Sequence, residues 1–268
     1  VNRIDRAFER ARAERRAALI AFISCGDPDL DTSVEMIPAL EAAGADVIEL
    51  GIPHSDPIGE GPTIQKSSQR ALARGATTAR ILQCVKRARD HSQVPLVLMG
   101  YLNNALAYGY AQFAHDAAAA GADGLILADV PYESTAELDA ACETQGVHRV
   151  LLVAPTTTAE RAIQIARRSR GFVYCVSVTG VTGARNALPV GLEHAVARLR
   201  RQTSTPIALG FGISTAEQAA NVARFADGVI VGSALVERIG AASSPRDAIE
   251  RASEFVRTLR SGLTPRAL

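Results

Sequence analysis

The sequence lacks most of the features that announce a partner or a metal. Its four cysteines, Cys25, Cys84, Cys142 and Cys175, are scattered with no C-x-x-C and no Cys/His cluster. That argues against zinc and leaves reduced structural thiols. No apolar run approaches the ~18 residues of a membrane span, and no charged-then-apolar leader precedes the first helix. A soluble, cytoplasmic protein is expected. Charge of one sign is missing too: the formal net charge is +1, which favours neither nucleic acid nor an anionic membrane. The first helix is Arg-rich (Arg3, Arg6, Arg10, Arg12, Arg15, Arg16), but Asp5, Glu9 and Glu14 interrupt it, the pattern of a solvated face. The histidines form neither a nucleophile constellation nor a metal-binding spacing. His54 falls in a loop; His91, His115, His148 and His194 fall in helices or at the wrong end of a strand. No Ser/Gly-rich or Pro-rich linker divides the chain, so one domain over 1–268 is expected, with a frayed tail at about 261–268.

What is present is alternation. Eight β-like runs, at 18–26, 46–53, 94–101, 123–131, 148–155, 171–178, 205–212 and 227–234, are separated by amphipathic stretches such as "TSVEMIPALEAAG". The runs are near-continuous Val/Ile/Leu, as in strands buried on both faces of a parallel sheet. Several helices end alike, at "EAAGAD", "AAAGAD" and "RFADG", where a Gly closes the helix or a polar residue precedes the next strand. Eight such units predict an α/β fold, a (β/α)8 barrel, with a doubly wound open sheet as the alternative. "NRIDRAFERARAE" adds an N-terminal helix whose Ile4, Phe8 and Ala11 share one face, suited to covering the barrel floor.

Barrels of this kind build their sites at the C-terminal ends of the strands. Three of those ends are Gly-rich: "SVTGVTGARN" after the sixth strand, "GFGIS" at the seventh and "VGSA" at the eighth. Each glycine alone is satisfied by a tight turn. Together, on adjacent strands, they suit a phosphate, because glycine admits close approach and a helix start offers free N–H groups. "GFGIST" lacks the third Gly of a dinucleotide fingerprint, which argues against a nicotinamide cofactor. Glu49 lies inside an apolar strand, where an unpaired carboxylate is costly. It is either neutralised by a structural partner within the barrel or a proton-transfer group tuned by burial; its place near the strand end favours the second. Asp129 holds a similar position on the fourth strand, and Tyr101 and Tyr174 lie near the ends of the third and sixth. The residues alone predict carboxylate acid–base chemistry on a phosphorylated small molecule, with no metal.

In order and spacing, "FISCGDPD", "DVIELGIPHSDPIGEGPTIQ", "MGYLNN", "ADVPYEST", "VSVTGVTGARN", "GFGIS" and "GSA" resemble the alpha subunit of tryptophan synthase, from about Ile4 to Ile239. The resemblance implies a retro-aldol lyase that cleaves indole-3-glycerol phosphate to indole and glyceraldehyde 3-phosphate. It implies that Glu49 handles protons at indole C3 and at the glycerol hydroxyl. Glu60 would meet the indole N–H, and Tyr174 would lie beside the glycerol chain. Phe22, Tyr101 and Phe211 would line the indole pocket; Gly183, Gly212, Gly232 and Ser233 would cradle the phosphate, and Thr182 belongs to a closing loop. Asp129 is counted with the substrate-binding residues. The resemblance also implies contact with a beta subunit through Asp56, Pro57 and Pro131. That partner, not this chain, would hold pyridoxal phosphate. The pattern departs from the family at three places: Glu60 stands where Asp is usual, Gly59 where Ala is common, and His54 where Phe or Tyr is usual. A stand-alone indole-forming lyase, a weakly active allosteric partner of a beta subunit, and another phosphate-binding barrel lyase or isomerase are the alternatives.

Overall fold

Uninterrupted apolar runs can bury both faces only inside a parallel sheet covered by helices, and that is where they fall. The computed structural model describes residues 1–176, 191–210 and 212–263. Among them are nine strands: β1 (Ala18–Ser24), β2 (Val47–Gly51), β3 (Leu96–Gly100), β4 (Gly124–Leu127), β5 (His148–Arg149), β6 (Leu151–Val153), β7 (Val173–Val176), β8 (Ile207–Gly210) and β9 (Gly228–Val231). They pair in parallel in the order β5-β4-β3-β2-β1-β9-β8-β7-β6. The expected fifth strand is split. Its first half, β5, pairs with β4 (Gly124 opposite His148), and its second half, β6, pairs with β7 (Leu151 opposite Val173). Val150 sits at the break and still donates to Leu125 O at 3.1 Å. The chain itself closes the ring there, so the fold is the barrel and not the open sheet.

The helices are α1 (Arg3–Ala13), α2 (Leu30–Ala42), α3 (Pro62–Ala73), α4 (Thr78–Ala88), α5 (Leu102–Tyr108), α6 (Tyr110–Ala120), α7 (Ala136–Gln145), α8 (Ala159–Arg168), α9 (Leu192–Arg200), α10 (Ala216–Ala223), α11 (Ser233–Gly240) and α12 (Pro245–Gly262). Local caps set several starts: Asp29, Thr158, Thr215 and Ser244 each accept a backbone N–H of the first turn. The apolar runs overshoot the strands. Residues 128–131 form a loop, and Ser233 already opens α11. Residues 261 and 262, expected in the tail, are helical, while 264–268 lie outside the described residues.

The barrel interior is plugged from below. Ile4, Phe8 and Ala11 of α1 pack with Ile20, Val97, Ile126, Phe172 and Ile230 from the strands, as the sequence pattern anticipates. Gly228 makes room for the plug, since a Cβ there would stand 2.9 Å from the Ala208 Cβ and 3.2 Å from the Phe8 ring.

The recurring helix-end unit has a physical meaning in the same place. Asp46, Asp123 and Asp227 each precede a strand and reach the strand beside it. Their carboxylates accept the N–H groups of Leu19, Leu96 and Ile207 at 2.9, 2.9 and 3.0 Å. Each also holds an arginine: Arg16 at 2.6 Å, Arg89 at 2.6 Å and Arg200 at 2.8 Å. With these ion pairs confined to the floor, the mouth is left free for chemistry.

Candidate active site

Glu49 lies in the middle of β2, where all five residues are buried. Its side chain is 0% exposed, and neither carboxylate oxygen has a hydrogen-bond partner among the described residues. A structural role for this carboxylate therefore finds no cation or donor to support it there. Burial, with a smaller contribution from the nearby Glu60 charge, pushes the Glu49 carboxyl up to about 8. At neutral pH it is mainly the protonated acid, able to donate.

Glu60 comes from the loop after β2. It is half-buried, and desolvation raises it to about 7. Short bonds hold its backbone: its N–H donates to Pro57 O at 2.9 Å, and Gln65 Nε2 donates to its carbonyl at 2.8 Å. The preceding N–H, of Gly59, donates to the Tyr101 hydroxyl at 3.2 Å. Tyr101 follows β3 at the head of α5, and the His54 ring stacks on it with centroids 4.6 Å apart and planes 26° apart. His54 Nδ1 accepts the Asp56 N–H at 3.1 Å. Desolvation and then the Glu60 charge push the Tyr101 phenol up to about 12. Gly59 is not forced by packing, since a Cβ would meet Tyr101 Oη at an ordinary 3.5 Å.

Glu60, Tyr101 and His54 border a small cavity at the mouth that Phe22 and Gly51 also line. Gly51 is required, because a Cβ there would stand 2.6 Å from the Phe22 ring. Tyr174, on β7, lies within the field of both carboxylates; burial first, then Glu49 and Glu60, hold its phenol well above the ordinary range. Gly210 on β8 leaves space for it, as a Cβ would come within 2.8 Å of the Tyr174 hydroxyl. Ser24, Ile64, Ser68 and Met99 also line the cavity, none of them singled out in the sequence. The signal for Ile64 and Ser68 was their i, i+4 spacing on the mouth-facing side of α3. Ser24 is further tied to Ser67 of the same helix by a 2.5 Å hydroxyl contact.

On the other side of the mouth, Gly232 is the cap of α11 and Ser233 its first residue. A Cβ on Gly232 would meet nothing nearer than Phe22 at 3.7 Å, so packing does not demand glycine. Gly212 takes a left-handed φ of 54°. Thr182, Gly183 and Phe211 lie outside the described residues. Asp129 stands beyond β4, not within it. It is exposed, and its carboxylate accepts the Leu102 N–H at 2.8 Å, capping α5. Asp56 and Pro131 are exposed and Pro57 is buried. Among the described residues, no group of three or more His, Cys, Asp or Glu is placed to hold a metal, and no helix is long and apolar enough to cross a membrane.

Two carboxylates of raised pKa at the mouth of a (β/α)8 barrel define an acid–base enzyme of the barrel class. The family model described as tryptophan synthase alpha chain matches residues 8–264. The chain is 47% identical over 266 residues to the tryptophan synthase alpha chain of Geobacter sulfurreducens, covering 98% of this chain and 99% of that one. The alpha chain of Caldanaerobacter subterraneus subsp. tengcongensis is 46% identical over 263 residues, 98% of this chain and 100% of that one. Among solved structures, Mycobacterium tuberculosis tryptophan synthase superposes with a TM-score of 0.90 at 38% identity, over 98% of both chains. The alpha subunit from Legionella pneumophila gives 0.89 at 38% identity, again over 98% of both. The chain belongs to the tryptophan synthase alpha chain family. It is a carbon–carbon lyase of tryptophan biosynthesis that releases indole from indole-3-glycerol phosphate.

Proposed function

We propose that Glu49 and Glu60 divide the proton work of this cleavage. The observation that carries the assignment is the fully buried Glu49 carboxyl, which has no hydrogen-bond partner among the described residues. As the neutral acid, Glu49 gives its proton to indole C3, and the ring electron pair that forms the C–H bond leaves N1 cationic. The Glu60 carboxylate faces that N–H and offsets the charge. Glu49, now a carboxylate, takes the proton from the glycerol hydroxyl next to the ring. The C–O bond becomes a carbonyl, the C–C bond breaks, and its electron pair returns to the ring as indole. Tyr174 borders the glycerol chain, and Phe22 and Tyr101 hold the indole plane. Gly212, Gly232 and Ser233 take the phosphate. Both carboxylates thus end in their starting states.

The working partner is a tryptophan synthase beta subunit, which carries the pyridoxal phosphate, while residues 1–268 serve as one domain. The docking surface is the mouth-side loop with Asp56 and Pro57, together with Pro131. Two exposed large apolar side chains support this, Ile58 at 73% and Leu106 at 56%, since water-facing side chains of this kind suit a protein contact. An indole-release assay from indole-3-glycerol phosphate, with and without a beta subunit, tests the whole reading. Release that the partner strengthens is expected, and Glu49→Gln should abolish it while the fold is kept. No release in either condition would sink the assignment.

A further inference from the structure

The loop between β2 and α3 carries Glu60 with little packing to hold it. Ser55, Asp56, Ile58 and Gly59 are exposed, and only Pro57 among them is buried. Its order comes from backbone donors, and every N–H from Asp56 to Glu60 has an acceptor, Pro57 having none to give. Two of these bonds stay inside the loop: the Ile58 N–H donates to Asp56 O at 3.0 Å and the Glu60 N–H to Pro57 O at 2.9 Å. The other two end on ring side chains. The Asp56 N–H donates to His54 Nδ1 at 3.1 Å, and the Gly59 N–H to the Tyr101 hydroxyl at 3.2 Å. Those two rings stack on each other, with centroids 4.6 Å apart. One pair of rings therefore clasps the loop at both ends. The clasp matters because Gly59 stands directly before Glu60. Glycine leaves the backbone its widest freedom, and a Cβ there would meet only Tyr101 Oη, at 3.5 Å. Tethers, not packing, fix where the carboxylate lies.

We propose that His54 is a positioning residue for Glu60, acting through the hydrogen bond from the Asp56 N–H to its imidazole and not through the bulk of its ring. The proposal rests on the role given to Glu60 above. A phenyl ring in place of the imidazole stacks on Tyr101 but accepts nothing, and the exposed Asp56 N–H turns to water. The Gly59 bond then holds the loop from one end alone. An Asn in the same place does the converse: its Oδ1 accepts the N–H two residues on, as in an Asx turn, while the stack is lost. The charge that Glu60 offsets arises only as indole C3 is protonated. A displaced Glu60 therefore lowers kcat and leaves KM nearly as it was, whereas a ring that merely walls the pocket would act on KM.

The test measures glyceraldehyde 3-phosphate formation from indole-3-glycerol phosphate per folded molecule, with a beta subunit at saturation so that docking does not enter. His54→Phe should lower kcat about tenfold, the scale of a slightly misplaced catalytic group, with KM within about twofold of the parent. His54→Asn should keep kcat within about threefold of the parent, because the acceptor is restored. In a Glu60→Gln background His54→Phe should cost less than about twofold, since the group it positions is gone. An unchanged kcat in His54→Phe overturns the proposal. So does a loss carried mainly by KM, or a larger loss in His54→Asn than in His54→Phe. A tenfold loss that persists in an already impaired Glu60→Gln enzyme overturns it as well, while the role of Glu60 survives. Glu60→Gln turning over at the parental rate removes that role, and the proposal with it.

Discussion

The Gly59 N–H donates to the Tyr101 hydroxyl at 3.2 Å, fastening the loop that carries Glu60 to the end of β3. Tyr101 therefore lines the pocket and also positions a carboxylate one residue away. Tyr101→Phe keeps the ring and its stacking on His54 but leaves that N–H without its acceptor. The expected result is a fall in kcat/KM of about tenfold or more, the scale set by a misplaced catalytic group. Unchanged kinetics would show that the rest of the loop holds Glu60 without the tether.

Glu49→Gln separates chemistry from stability. Turnover should fall by a factor of about 10³ or more, of the order general acid–base catalysis supplies. The stability effect has the opposite sign. The folded carboxyl titrates at about 8 against an ordinary 4.5. Its contribution is fully present below pH 4.5 and is lost as pH rises through 8. Gln cannot ionise, so the variant should match the parent near pH 4.5 and exceed it above pH 8 by roughly 4–5 kcal/mol. Urea midpoints at the two pH values check this; equal midpoints at both would mean that the carboxylate finds a partner in solution.

The pH profile of kcat/KM should be bell-shaped. Glu60 must be anionic, so activity falls below about 7; Glu49 must be protonated, so it falls above about 8. The two limbs belong to the pair as a coupled system. Glu60→Gln should remove the lower limb along with most of the rate. A lower limb that persisted in that variant would assign it elsewhere.

Glu60→Asp restores the shorter acid usual in the family. The charge stays, the reach shrinks by one methylene, and Gly59 allows the loop to shift because nothing packs tightly where its side chain would be. Activity within an order of magnitude of the parent is expected in steady-state assays. A loss beyond a hundredfold would mean that the loop is rigid around the longer side chain.

Asp46→Asn tests the floor. The Arg16–Asp46 pair is 2.6 Å long with both side chains about 5% exposed or less, and the same carboxylate accepts the Leu19 N–H. Arg16 keeps its exposed partner Glu14 at 2.6 Å but loses the buried counter-charge, which should cost about 1–3 kcal/mol in urea unfolding. Indole release per folded molecule should be unchanged, because floor and mouth are separate faces. Lost activity in fully folded protein would contradict that separation.

Much of this was legible in the sequence because burial on both faces writes an unmistakable apolar run. The floor plug of Ile4, Phe8 and Ala11 was legible for a similar reason, its helical spacing. Glu49 stood out as a carboxylate in such a run. Less legible was the split at Val150, since both halves are equally apolar and only pairing tells them apart. Asp129 misled because its run continues past β4 in composition but not in backbone: the carboxylate serves the start of α5. The Gly59–Tyr101 bond joins residues far apart in sequence through a backbone N–H, which carries no side-chain signature at all.

The division of the fifth barrel strand at Val150 has a bearing on how the molecule meets its own copies. A sheet that ended on a full strand would present a row of unsatisfied amides, open to any passing extended chain. Here the two loose flanks are β5 and β6, only two and three residues long. Neither is long enough to template a strand, so the ring denies cross-β aggregation a foothold at this seam.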